Sequence, residues 1–311
     1  FEHIDRLIEV AQRVVNGELK RVIVCLPHRY FKTEVFGRLL PAYYLRRFSD
    51  QNAGIASYGA ELAWSTSEEA RPYYQADGGQ LSRATAAKKH WRTSAGGELW
   101  AAGVGGPMLG FGYHLGIIDD PQDPEMAHSP TYQKRFAEWW PRKFLSRQEP
   151  GAAIIVVMQR LGTEDAIDFL WRREIGEDED PAPEHWHLVV CDEIRSEDPL
   201  GRWSGAQGLP PTCTLEPDPR PVGAILAPAR FSAEQVMALQ RSAGPYVRSA
   251  QRQQRPAAPA GDFWRDEWFQ EYDELPHPVY NGGRDWDTAY TENEANSASA
   301  MIQTYRGQGT P

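Results

Sequence analysis

Three uninterrupted apolar runs, residues 22–26, 115–118 and 152–158, each stop on polar groups, and this restricts the chain to few folds. A strand covered on one face alternates apolar and polar residues. One covered on both faces reads as a continuous run, as in a parallel sheet held between layers of helices. Ligands of open parallel sheets bind at the carboxyl ends of the strands. Here those ends carry Lys32-Thr33 after a short turn, Asp119-Asp120, and Gln159-Arg160. The expected class is α/β, with a mainly parallel central sheet flanked by helices.

The first of these ends resembles a phosphate-binding loop in architecture: strand, turn, Lys-Thr, then a helix-compatible segment from Val35 to Leu40. The Walker A consensus places Gly at the positions of Leu26 and Phe31, so the pattern fails at both glycines while the architecture holds. A side chain at position 31 penalises any left-handed backbone there. The second end, Asp119-Asp120, sets two carboxylates side by side, a repulsive arrangement that a cation or hydrogen bonds must offset. Exposed turn aspartates before Pro121, or a helix-capping Asp, are the plain alternatives. Gln159 and Arg160 close the third run.

The net charge of −10 argues against a surface wrapped throughout in nucleic acid, yet leaves room for a local basic face. Arg241, Arg248, Arg252 and Arg255 fall in a stretch without acids, and the last three, at i, i+4 and i+7, would share one face of a helix. Such a stripe serves DNA phosphates, a solvated surface or ion pairs with acidic segments such as residues 262–274 equally well. Lys88-Lys89-His90 with Trp91-Arg92 forms a second basic patch, whereas Trp100, Trp139 and Trp140 read as core. Residues 1–16 carry apolar positions at helical spacing, and no apolar run approaches the ~20 residues of a membrane span. Cys25, Cys191 and Cys213 are scattered and lack a Cys-x-x-Cys pair, which suggests a reducing compartment and no zinc site. Residues 255–261 and 275–283 read as linkers.

In this order the motifs resemble the large terminase subunit of tailed bacteriophages, a DNA-packaging ATPase and nuclease. The resemblance runs over nearly the whole chain. LPAYYLR (40–46) is similar to the family's FPAWYLG, ASYGAELA (56–63) to ASYSAELA, and GVGGPMLGFG (103–112) to GVGGSLTGRG, running into IIDDP (117–121). VVMQRLGTEDA (156–166) stands where VIMTRWHEDD is common, LAPARFS (226–232) resembles LWPERFS, and DWDTAY (285–290) resembles SWDTAF. QQRPAAPAGDFWRDEWF (253–269) resembles QQNPTPREGGLFKREWF.

The resemblance implies a P-loop NTPase of the ASCE, RecA-like kind over residues 1–255, a linker over 256–283, and over 284–311 the first hairpin of an RNase H-like nuclease. It implies ATP and Mg²⁺ in a loop formed by Pro27, His28, Arg29, Tyr30, Phe31, Lys32 and Thr33. Lys32 would contact phosphates, Thr33 and Asp119 would hold Mg²⁺, Asp120 would orient the attacking water, and Gln159 would couple phosphate state to the sheet. Asp287 would be the first ligand of a nuclease site using Mg²⁺ or Mn²⁺, whose other carboxylates this chain lacks. Phe111 stands where the family carries an arginine, and Arg160 and Arg142 are candidates for the arginine donated to a neighbouring subunit. Implied partners are double-stranded DNA through Arg248, Arg252 and Arg255, the small terminase subunit, the portal protein, and copies of the chain in a ring, with a monomer in isolation. The implied location is the host cytoplasm, with no membrane. A nucleic-acid translocase or helicase of the same fold, a catalytically inactive P-loop-like module, and a metal nuclease in its own right are the competing readings.

Overall fold

A computed structural model describes residues 1–106, 108, 110–127, 129–176, 183–197, 209–256, 279–287 and 300–307. Contacts divide the chain into two units, Phe1–Pro259 and Ala260–Pro311.

In the first unit, α1 (Glu2–Val15) leads into β1 (Arg21–Cys25) and the loop 26–31. A π-helical stretch (Thr33–Leu39) runs on into α2 (Leu40–Arg47). Then come β2 (Asn52–Ser57), α3 (Ala60–Ala76), β3 (Leu81–Ala87), β4 (His90–Thr93), β5 (Glu98–Gly103) and β6 (Tyr113–Asp119). Helix α4 (Pro130–Trp139), β7 (Gln148–Met158), α5 (Ala166–Ile175), β8 (His187–Val190) and β9 (Thr214–Leu215) follow. The unit closes with α6 (Ala233–Ser242), the short α7 (Gly244–Val247) and a π-helical turn (Arg248–Arg252).

The nine strands form one sheet in the order β3-β4-β5-β2-β6-β7-β1-β8-β9. Every neighbour pair from β5 to β9 is parallel, while β3-β4-β5 is antiparallel. The apolar runs are central because both faces of β1, β6 and β7 are covered. Val22, Val24, Ile117, Ile155 and Val157 join one core with Leu7 and Val10 of α1, Leu45 of α2 and Ala63 of α3. Their alternating neighbours Ile23, Cys25, Ile118, Ile154 and Val156 join the other, with Trp139 of α4 and Trp171 of α5. With side chains alternating along a strand, a polar residue in either set would face a core, so the runs stay apolar until the strands end. Trp100, Trp139 and Trp140 are buried, as core residues should be.

Helix α5 shows how local chemistry fixes an element. The Asp165 carboxylate accepts from the N–H groups of Ile167 and Asp168, capping the helix, and Gly176 ends it in a left-handed turn.

The second unit is described only as a hairpin, β10 (Val279–Asp287) against β11 (Ala300–Gly307), with Asp287 opposite Ala300. Residues 279–283, expected as linker, are strand: their backbone pairs across an irregularity between Tyr280 and Gly283, which accommodates the glycines. No helix among the described residues is long and apolar enough to cross a membrane.

Candidate nucleotide site

Strand order decides what meets at the carboxyl edge. Strand β7 lies between β1 and β6, so Gln159 sits between the loop that bears Lys32 and the strand that bears Asp119. Lys32, 4% exposed at the head of its helix, places its ammonium 2.5 Å from Asp120 Oδ1. Asp119 is buried, and Thr33 hydrogen-bonds to it through its side chain. The sequence-predicted Lys32, Thr33, Asp119 and Asp120 are therefore brought together across the sheet.

The two aspartates have unlike surroundings. Burial, then repulsion by Asp120, pushes the Asp119 carboxyl up to about 7 against the opposing pull of Lys32 and Thr33. Asp120 keeps about a quarter of its side chain in contact with solvent. Its backbone is fixed from both sides: Asp120 N–H donates to Val157 O at 2.8 Å, and Tyr58 N–H donates to Asp120 O at 2.9 Å. So held, Asp120 adopts φ +46°. The loop itself is strained in the same sense, with Arg29 at φ +66° and Phe31 at φ +68°. Non-glycine residues held at positive φ cost energy and concentrate at functional sites.

Polar atoms without partners concentrate here as well. Ser57 Oγ, Asp119 Oδ1 and Gln159 Oε1, at the ends of the adjacent strands β2, β6 and β7, are buried and make no hydrogen bond among the described residues. Buried acceptors are normally satisfied. An oxygen of buried Asp119 left over beside the Thr33 hydroxyl fits a small divalent cation, and hard cations such as Mg²⁺ take oxygen ligands. Gly37 makes the space: a Cβ there would lie 3.3 Å from Asp119 Oδ2 and 2.8 Å from Thr66 Cγ2.

The remaining loop residues divide. Pro27 and His28 line a pocket of about 180 Å³ with Gln159, Gln251 and Arg252. Arg29 is exposed. Tyr30 turns inward, buried, and its hydroxyl donates to Glu193 at 2.9 Å, so its side chain serves the core. The Phe31 ring points to the outer side, stacked on Phe1 at 6.1 Å with the Arg230 guanidinium 4.5 Å from its centroid.

Several expectations need correction. Arg248, Arg252 and Arg255 do not share a helical face, because the π-helical turn ends at Arg252 and Arg255 lies beyond it. Arg252 donates to buried Glu193 at 2.6 Å and Arg255 to Ser196 at 2.8 Å, leaving Arg248 as the exposed member. Arg160 is 1% exposed and bonded to Asp165 at 2.9 Å, so it cannot reach a neighbouring subunit; Arg142 is exposed. The expectation for Asp287 is not among these: its backbone lies at the end of β10, opposite Ala300, and its side chain lies outside what the structure describes.

Glu193 is the residue the sequence reading passed over. It is fully buried and binds Tyr30 of the loop, Gln240 of α6 at 2.9 Å, and Arg252. Its signal was present, since Asp192-Glu193 also follows a buried strand, β8. Gly37, in the interior of a helical segment, carried a signal of the same kind.

No family model matches the chain, and no curated protein does. Among solved structures, the large terminase of a thermophilic bacteriophage in complex with ADP is similar over 48% of this chain and 38% of its own, at 15% identity and a TM-score of 0.34. The same terminase in another crystal form is similar over the same shares, at 12% identity and a TM-score of 0.30. The chain thus spans less than half the length of that terminase.

Proposed function

We propose that this chain is the Mg²⁺-dependent ATPase part of a viral DNA-packaging motor, a large terminase subunit with a P-loop core of the ASCE, RecA-like kind. One observation carries the reading: Lys32, Thr33, the aspartate pair and Gln159 meet at one sheet edge, with buried oxygens that nothing else in the described chain satisfies. The order of sequence motifs supports it.

Burial separates the roles. Asp119, buried, and Thr33, half-buried beside it, would hold Mg²⁺, which when bound offsets charge on the phosphate oxygens. Asp120, open to solvent, is the carboxylate that a water can approach. Its ion pair with Lys32 has to open, which frees the ammonium for the β- and γ-phosphates and the carboxylate for the water at the same moment. Gln159 reads the change. Its amide lies 3.4 Å from Gln251, and the next residue's N–H donates to Gln254 at 3.0 Å, so β7 is wired to the segment after α6. Tyr30, Glu193 and Arg252 wire the loop to that segment. A change at the phosphates thereby reaches residues 244–255, where exposed Arg248 is available to double-stranded DNA. A ring of copies, the small subunit and the portal protein complete the proposed machine, and the nuclease activity belongs to a domain of which this chain holds the opening hairpin.

Steady-state ATPase assays of Lys32→Ala and Asp120→Asn test this: each should fall by at least a hundredfold, and undiminished hydrolysis in either removes the assignment. The bulky loop and closed Lys32–Asp120 pair favour one second reading, a catalytically inactive module. Mg–ATP at a hundredfold excess over Kd stabilises a binder by about 2.7 kcal/mol. At about 2–4 °C per kcal/mol the melting point rises roughly 5–10 °C, and no shift at millimolar ATP would favour the inactive module.

A further inference from the structure

A second cavity opens beside the first. It measures about 420 Å³ and lies at the carboxyl ends of β2 and β5. Small-molecule sites span about 300–1,000 Å³. Its walls are aromatic: Tyr58, Trp64, Trp100 and Phe111. Trp100 and Phe111 stack with centroids 6.0 Å apart. Both indoles are anchored by their edges, Trp64 Nε1–H donating to Ala101 O at 3.2 Å and Trp100 Nε1–H to Gly112 O at 3.3 Å. The rings are thus fixed, and their polar edges already satisfied.

No carboxylate lines the cavity; Lys89 and Arg135 do. The neighbouring cations are neutralised, Lys88 by Glu68 at 2.8 Å and Arg92 by Glu98 at 2.5 Å. Neither Lys89 nor Arg135 has an acidic partner among the described residues, although Arg135 donates to Val104 O at 2.8 Å. Gly105 lets this guanidinium come close to the loop, since a Cβ there would fall 2.3 Å from Arg135 Nε. In a chain of net charge −10, uncompensated cations around fixed ring faces complement an anion that carries a planar ring.

We propose that this cavity binds a nucleotide unit, with its base stacked against the partly exposed rings of Trp64 and Phe111, buried Trp100 backing Phe111, and its phosphate held by Lys89 and Arg135. A free nucleoside monophosphate and an unstacked nucleotide of a single strand offer the same chemistry. The site is separate from the phosphate loop and does not depend on the chain hydrolysing ATP. It is nonetheless next to the aspartate pair, because Tyr58 in its wall donates its backbone N–H to Asp120 O.

Tryptophan fluorescence of the whole chain, titrated with thymidine monophosphate, with thymidine and with short oligothymidylate, tests the proposal. Saturable quenching by the monophosphate is expected, unchanged in Lys32→Ala and weakened about tenfold or more in Trp64→Ala, as base stacking requires. The double variant Lys89→Ala/Arg135→Ala, whose positions are exposed and whose fold is checked by its melting point, should weaken it comparably. Tighter binding of the oligonucleotide identifies a strand as the source, and equal binding per nucleotide identifies the free compound. Absence of saturable quenching, equal affinity for thymidine, or loss of binding in Lys32→Ala with none in the double variant overturns the proposal.

Discussion

Phe31→Gly and Phe31→Ala should fall in the reverse of their usual order of stability. Both remove a half-buried ring, its cation–π contact with Arg230 at 4.5 Å and its stack on Phe1 at 6.1 Å. Half of the burial energy of a Phe side chain is about 1 kcal/mol. The cation–π contact adds about 0.5–1 kcal/mol and the stack a similar amount. Phe31→Ala therefore costs about 2–3 kcal/mol. It also keeps a Cβ at φ +68°, a conformation that costs an L-residue roughly 1–2 kcal/mol. Glycine removes that strain and gives back about 0.5–1 kcal/mol through its freer unfolded chain. The net advantage of Gly over Ala is about 1 kcal/mol, or roughly 2–4 °C in melting point for a domain of this size. Thermal unfolding of the two variants side by side measures it. An alanine variant that melts at or above the glycine variant would refute the claim that the loop is strained at position 31. If Phe31 also holds the amides back from a polyphosphate, the glycine variant binds Mg–ATP more tightly than the wild type.

Gly37→Ala should destabilise the chain by about 1–3 kcal/mol and depress ATPase activity with it, because the added carbon meets Thr66 and Asp119; wild-type values for both would show that the helix can shift aside. Glu193→Gln should cost about 3 kcal/mol in urea unfolding, since it leaves Arg252 facing a neutral, fully buried partner. His3 is buried, and its imidazole is lowered to about 4, mainly by loss of hydration. Above about pH 6.5 neither the folded nor the unfolded state is protonated there, so His3 has no effect. As pH falls from 6.5 towards 4 the unfolded chain takes up the proton first, and up to about 3 kcal/mol of stability is lost. His3→Phe should flatten that part of the stability–pH curve; an unchanged slope between pH 7.5 and 4.5 would remove His3 as its source.

Much of this molecule was already written in local patterns. Continuous apolar runs announced strands buried on both faces, and the residues that closed them, Lys32, Asp119, Asp120 and Gln159, are those that gather at one edge. A strand's composition reports how it is covered and where it ends, which is why these were legible. It does not report which strand lies next to it. Only the tertiary structure inserted β7 between β1 and β6, and so brought its end, with Gln159, between the strand that leads into the loop of Lys32 and the strand that ends on the aspartates. Side-chain direction was equally hidden. Tyr30, Arg252 and Arg160 read as loop or surface groups from their neighbours in sequence, yet Tyr30 and Arg252 meet at Glu193 and Arg160 closes on Asp165 inside the protein. A buried carboxylate drew the first two inward across more than fifty intervening residues, and no local pattern encodes such an attraction. The left-handed backbone at Arg29, Phe31 and Asp120 has the same origin: sequence argues against it, and the packed sheet edge imposes it.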